Sequence, residues 1–189
     1  YKSIWWNVKT CIIITIKIEC KPNWQPSANL VILKDYRCAA SRYWVIRYCN
    51  DYSSFYISSN GFITFTNDPN SGCCSGQLLP NVSSPNNLIA FVWDDMYPPG
   101  NGFINYFTTG SAPNRKLVMN FRDIPFCCVT TPPSASTQVI LYEGSNAVDI
   151  FTAYANSIDP GTMGLENING TIAHVVPGRN SSLWTIANE

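Results

Sequence analysis

The sequence predicts an all-β protein: a jelly-roll-like antiparallel β-sandwich preceded by an extended N-terminal strand arm. Three observations predict it. Short β-branched or aromatic runs recur about every ten residues. Clusters of Pro, Gly and Asn separate them. No long window carries apolar residues at helical spacing. The length of 189 residues suits one domain with an added arm. We divide the chain into an arm at 1–28 and a sandwich at 29–189.

Strands are expected near 11–19, 29–34, 43–49, 53–58, 61–66, 87–93, 102–108, 115–121, 136–143, 146–153, 162–166, 171–175 and 183–187. In the first, Ile12, Ile14, Ile16 and Ile18 share one face, and Ile13, Thr15, Lys17 and Glu19 share the other. Burying four isoleucines could contribute roughly 6 to 10 kcal/mol before ordering costs. The segment from Lys21 to Asn29, with Trp24 and two prolines, reads as a semi-extended spacer. Two readings follow. The strand is the first of this chain's own sandwich, or it reaches a neighbouring copy and completes its sheet.

Asn60-Gly61 lies between Phe55-Tyr-Ile-Ser and Phe62-Ile-Thr-Phe. This is the signal of a two-residue type I′ hairpin, which needs positive φ at both central residues. Glu143-Gly144-Ser145-Asn146 marks a second hairpin. Two stretches break the rhythm: 68–87, which holds Cys73-Cys74, and 125–133, which holds Cys127-Cys128. A long loop is usually pinned. The two loops are expected to be stapled to each other or closed internally by disulfides, the alternative being reduced thiol pairs. Zinc would need all four thiolates to converge, and adjacent residues rarely both reach one tetrahedral ion.

Twelve basic residues balance twelve acidic ones, and charged residues make up 13% of the chain, about half the usual share. Nucleic acid is excluded as the main ligand, because phosphate binding needs clustered Lys and Arg. A polybasic membrane arm is excluded for the same reason. An apolar share of 46% with 13% aromatics excludes intrinsic disorder. Eight cysteines among abundant Asn, Ser and Thr point to an extracellular or cell-surface setting. No signal peptide opens the chain, which reads as a mature or trimmed product. No run reaches the roughly 20 apolar residues of a membrane-spanning helix. Asn81-Val-Ser, Asn169-Gly-Thr and Asn180-Ser-Ser match the N-glycosylation acceptor pattern.

No catalytic set is found. His174 is the only histidine and sits in a β-like run without a nearby carboxylate. No Gly-x-Ser-x-Gly elbow and no phosphate-cradling glycine loop is present. Asp94 and Asp95 follow Trp93 at the end of an apolar strand. They could join loop carbonyls to hold Ca²⁺, or cap the following turn. No other cofactor is expected.

Several segments carry a resemblance: Phe55-Tyr-Ile-Ser-Ser-Asn-Gly-Phe-Ile-Thr-Phe65, Gly72-Cys-Cys-Ser-Gly-Gln77, Pro85-Asn-Asn-Leu-Ile-Ala-Phe-Val-Trp-Asp-Asp95, Gln138-Val-Ile-Leu-Tyr-Glu-Gly-Ser-Asn146 and Val176-Pro-Gly-Arg-Asn-Ser-Ser-Leu-Trp184. With them, residues 52–188 resemble a family of secreted β-sandwich modules from Bacteroidetes-type bacteria, similar in pattern to the nidogen-like extracellular domain. The resemblance leaves out residues 1–50, including Tyr43 to Asn50. It implies a non-enzymatic structural or adhesive module and brings no catalytic residues.

Two functions are expected. The first is a subunit of a self-assembling, pilus-like surface fibre. Its strand 11–19 is donated to the next copy, with Ile12, Ile14, Ile16, Ile18 and Trp24 at the interface. The partners are then further copies in a linear or helical polymer. The second is an adhesin or carbohydrate-binding module of a larger surface protein, with surface glycans as partners.

Overall fold

The computed structural model describes residues 2–8, 12–18, 42–48, 52–66, 74–100, 102–127, 134–143, 145 and 147–188, with side chains from Ser54 onward except at Ser134. The described residues form β1 (Lys2–Val8), β2 (Ile12–Ile18), β3 (Arg42–Tyr48), β4 (Tyr52–Ser58), β5 (Phe62–Thr64), β6 (Leu88–Trp93) and β7 (Phe103–Thr109). They continue as β8 (Lys116–Pro125), β9 (Ser134–Tyr142), β10 (Val148–Asn156), β11 (Gly161–Glu166), β12 (Ala173–Ser182) and β13 (Thr185–Ala187). A single 3₁₀ turn at Pro98–Gly100 is the only helical element among them.

Two sheets make the sandwich. One runs β1-β4-β5-β6-β11-β12 and the other β13-β10-β9-β8-β7, with antiparallel pairing throughout. β2 and β3 form a separate two-stranded sheet, paired from Ile12 opposite Tyr48 to Ile18 opposite Arg42. Residues 2–8, assigned to the arm from sequence, pair with β4. The expected strand near 29–34 lies outside the described residues.

The principal core fills the space between the sheets. Phe91 and Phe121 meet there edge to face, their centroids 4.8 Å apart, among Phe55, Ile63, Met119, Val139 and Leu165. On β8 the inward residues are Leu117, Met119 and Phe121. Their partners on β7 are Thr108, Tyr106 and Ile104. A buried pair of hydroxyls, Thr137 and Thr152, bonds at 3.2 Å within this core, so neither oxygen is left unpaired.

The expected β4–β5 hairpin forms, but as a three-residue loop. Ser58 pairs with Phe62, and of Asn60 and Gly61 only Gly61 has positive φ, at 79°. The type I′ expectation is therefore corrected to a longer loop closed by a left-handed glycine. The cause lies across the sheet. The Gly61 carbonyl accepts from both Phe91 N (3.0 Å) and Val92 N (3.1 Å), a β-bulge in β6. That bulge turns Phe91 and Val92 both inward, leaving Leu88, Ala90 and Trp93 on the opposite face.

A Cβ on Gly61 would lie 1.9 Å from the Val92 carbonyl oxygen. Gly178 also has positive φ, at 78°, but has nothing within 4 Å of a built Cβ. Gly61→Ala is therefore expected to cost about 3 kcal/mol or more and Gly178→Ala about 1 kcal/mol. Denaturant titration checks this; equal losses at the two positions would contradict it.

Candidate functional site

The outer face of the six-stranded sheet carries a second, smaller core. Phe62, Leu88, Ala90 and Trp93 project there, with Phe62 and Trp93 rings 4.9 Å apart. Residues 74–87 form no strand, yet they lie across this face and bury Leu79 in it. Gly76 approaches so closely that a Cβ there would stand 2.6 Å from the Trp93 carbonyl oxygen.

Lacking a ladder of its own, this segment is tied by polar side chains from the sheet beneath. Asn180 accepts from Leu79 N and donates to Leu79 O, both at 2.8 Å. The Thr162 hydroxyl donates to Gln77 O at 2.7 Å, and Thr64 donates to Asn86 O at 2.9 Å. Glu166, 3% exposed, accepts from Asn81 N at 2.6 Å. Its second oxygen is buried without a partner among the described residues. Burial, opposed by the Asn81 bond, pushes this carboxyl up to about 6.

These contacts distinguish the three acceptor motifs. Asn180 spends both ends of its amide on Leu79. The Asn81 amide oxygen caps Ser83 N at 2.9 Å. Asn169 is exposed, beside Gly170.

The Asp94-Asp95 pair stands where β6 meets the loops. Asp94 is fully buried. One of its oxygens accepts from Asp95 N at 2.7 Å and the other meets the Ser157 hydroxyl at 2.5 Å. Ser157 also donates to the Asp159 carbonyl. Burial raises the Asp94 carboxyl, against its two hydrogen bonds; nearby Asp159 and Asp95 add to the rise. A protonated Asp94 would donate to Ser157 and free the hydroxyl proton for Asp159, satisfying all three groups. Asp95 is raised by burial and by Asp159. Asp94 is thus engaged by the protein's own turn. No group of three or more His, Cys, Asp or Glu side chains arranged to hold a metal occurs among the described residues.

Ile12, Ile14, Ile16 and Ile18 lie on β2, whose side chains are not described, and Trp24 lies outside the described residues. Cys74 and Cys127 are disulfide-bonded; Cys73 and Cys128 lie outside the described residues. His174 pairs with Leu165 across β11–β12, and burial lowers its imidazole. Among the described residues no helix is long and apolar enough to cross a membrane.

Sequence reasoning missed the clamp on the opposite sheet. Arg115 and Glu143 form a bidentate pair, Nε to Oε2 at 2.8 Å and a terminal nitrogen to Oε1 at 2.5 Å. Glu143 N also donates to the Arg115 carbonyl at 2.8 Å, and Arg115 N donates to Glu143 Oε2 at 3.0 Å. Nothing in their spacing of 28 residues signals it. Large apolar residues are also exposed on this side: Phe103, Tyr106, Phe107 and Phe151.

Comparison with known proteins gives one match. A family model described as NIDO related covers residues 43–188. It takes in Tyr43 to Asn50, which the sequence resemblance had left out, and it carries the nidogen-like module but not a bacterial source. No curated protein and no solved structure matches the chain.

Glu166 sets a pH dependence. Its folded-state value, about 6, lies above the ordinary 4.5, so the folded protein holds this proton more tightly. The stabilisation is complete below pH 4.5 and is lost as pH rises through 6, by about 2 kcal/mol. Glu166→Gln keeps an acceptor for Asn81 N and should remove that share of the fall. Thermal unfolding from pH 4 to 8 checks it; an unchanged slope in the variant would contradict it.

Proposed function

From the premise that this chain belongs to the NIDO-related family, we propose that it is a non-enzymatic extracellular structural protein, a subunit of a surface fibre in which β2 completes a neighbouring copy's sheet. NIDO-related modules of all-β fold are typically extracellular and non-enzymatic, which supports the coarser part of this reading. The observation that carries the finer part is the position of β2. It pairs with β3 in a two-stranded sheet that shares no hydrogen-bonded ladder with the sandwich and meets it only through contact with β10 among the described residues. A two-stranded sheet is marginally stable by itself. Exchange of its pairing for a neighbour's longer sheet therefore costs little. The alternating isoleucines give the donated strand an apolar face, and the shortage of charge lets copies pack without desolvating many ions.

An adhesin that binds surface glycans is the second reading, favoured by exposed aromatic residues such as Tyr97 and Phe151. Calcium at Asp94 and Asp95 belongs with it as a proposal, and it would have to displace the Ser157 hydroxyl from the buried Asp94.

Ile14→Lys/Ile16→Lys puts two charges on the apolar face of β2. The full chain should form filaments in negative-stain images, and the double variant should not. Filaments from the variant would contradict donation by β2. A full chain that forms no filaments but binds defined glycans on an array would favour the adhesin.

A further inference from the structure

β7 is an edge strand without the usual protection. Among the described residues it pairs only with β8, in continuous register from Phe103 opposite Arg122 to Thr109 opposite Lys116. It contains no charge, no proline and no bulge, the devices that normally block an open edge. Six of its seven residues are exposed, and Phe103, Tyr106 and Phe107 are 44–50% exposed.

The residues on that edge are arranged symmetrically. Phe103 and Phe107 stand symmetrically about Asn105, with the large side chains Ile104 and Tyr106 between. Asn105 is also the last rung of an amide ladder on the outer face of the sheet. Gln138 Nε2 donates to Asn120 Oδ1 at 2.8 Å, and Asn120 Nδ2 donates to Asn105 Oδ1 at 2.8 Å. The ladder thus runs in one sense across β9, β8 and β7. It ends with the Asn105 Nδ2 donor at the open edge.

We propose that β7 pairs with β7 of a second copy, antiparallel and in the register that sets Asn105 opposite Asn105. This register joins the two five-stranded sheets into one sheet with a two-fold axis through Asn105, an isologous contact. On the outer face Phe103 stands opposite the second copy's Phe107 at both ends; the two amide ladders meet at the axis in opposite senses, so each Asn105 Nδ2 needs the second lone pair of the other copy's Asn105 Oδ1. On the inner face Ile104 stands opposite Tyr106. Aromatic pairs directly opposite are among the favourable cross-strand pairs. Arg122, whose guanidinium lies 5.7 Å from the Phe103 ring centroid, flanks each aromatic pair. With twelve charges of each sign, the copies carry no net charge that would keep them apart. A second copy fits better than an arbitrary peptide because the pattern is its own complement. The contact is independent of β2 and would add a closed pairing to any donation by that strand.

Sedimentation of the full chain at rising concentration tests it. In the Ile14→Lys/Ile16→Lys background, where strand donation is blocked, a monomer–dimer equilibrium is expected, complete or nearly so by roughly 1 mM. Asn105→Asp and Asn105→Lys each set like charges across the axis and should weaken the dimer on the order of tenfold or more. An equimolar mixture of the two should dimerise again, because Asp then faces Lys. Circular dichroism and the unfolding midpoint confirm that both variants are folded. Ile14→Lys/Ile16→Lys should leave this dimer intact, which separates its failure from failure of strand donation. A full chain monomeric at roughly 1 mM would overturn the proposal, as would single variants that dimerise normally or a mixture that does not recover.

Discussion

β6 is buried along its whole length and on both faces, and the rest of the molecule is arranged to make that burial complete. One face is covered by the second sheet in the usual way of sandwiches. The other would expose Leu88, Ala90 and Trp93 to water. Residues 74–87 cover it instead, through Leu79 and the close approach of Gly76. A segment without a strand ladder has backbone groups to satisfy. Thr162, Glu166 and Asn180 supply partners for it from β11 and β12. Buried polar residues on an outer sheet face thus have a structural cause here.

This constraint bears on function. Residues 74–87 cover the outer face of the six-stranded sheet around β5, β6 and β11, which leaves edges, loops and the outer face of the five-stranded sheet exposed among the described residues. β7 and the β2–β3 sheet are among the elements whose pairing is left incomplete in the described residues, together with the edge strands β1, β12 and β13. An extracellular structural or adhesive module of the NIDO-related family fits a chain with few charges and one half-buried histidine.

Much of the fold was legible because β-branched runs and turn residues are local signals. The strands expected at 87–93, 102–108 and 162–166 each fall within one residue of β6, β7 and β11 at either end. β1 was not anticipated, because Trp5-Trp6 breaks the alternation and the strand shifts register between Trp5 and Val8. β12 was expected to stop near 175 but continues to Ser182. Its Pro177-Gly178 falls in an irregular stretch between Val175 opposite Gly164 and Asn180 opposite Thr162, so a turn signal marked a bulge. The type of the Asn60-Gly61 turn was set by Phe91 and Val92, about thirty residues away, which no local rule could register. Likewise the ties on 74–87 come from residues far along the chain. The symmetry around Asn105 is visible in the sequence, but it acquires meaning only once β7 is known to be an edge.

Hydrogen exchange at the Leu79 and Asn81 amides tests most directly whether residues 74–87 form a structural layer over β6. Both amides donate to side chains of the sheet, the half-buried Asn180 and the buried Glu166. They should exchange with protection approaching that of the β6 amides, since opening them requires uncovering Trp93. Exchange at the rate of an unstructured peptide, with β6 still protected, would contradict the account.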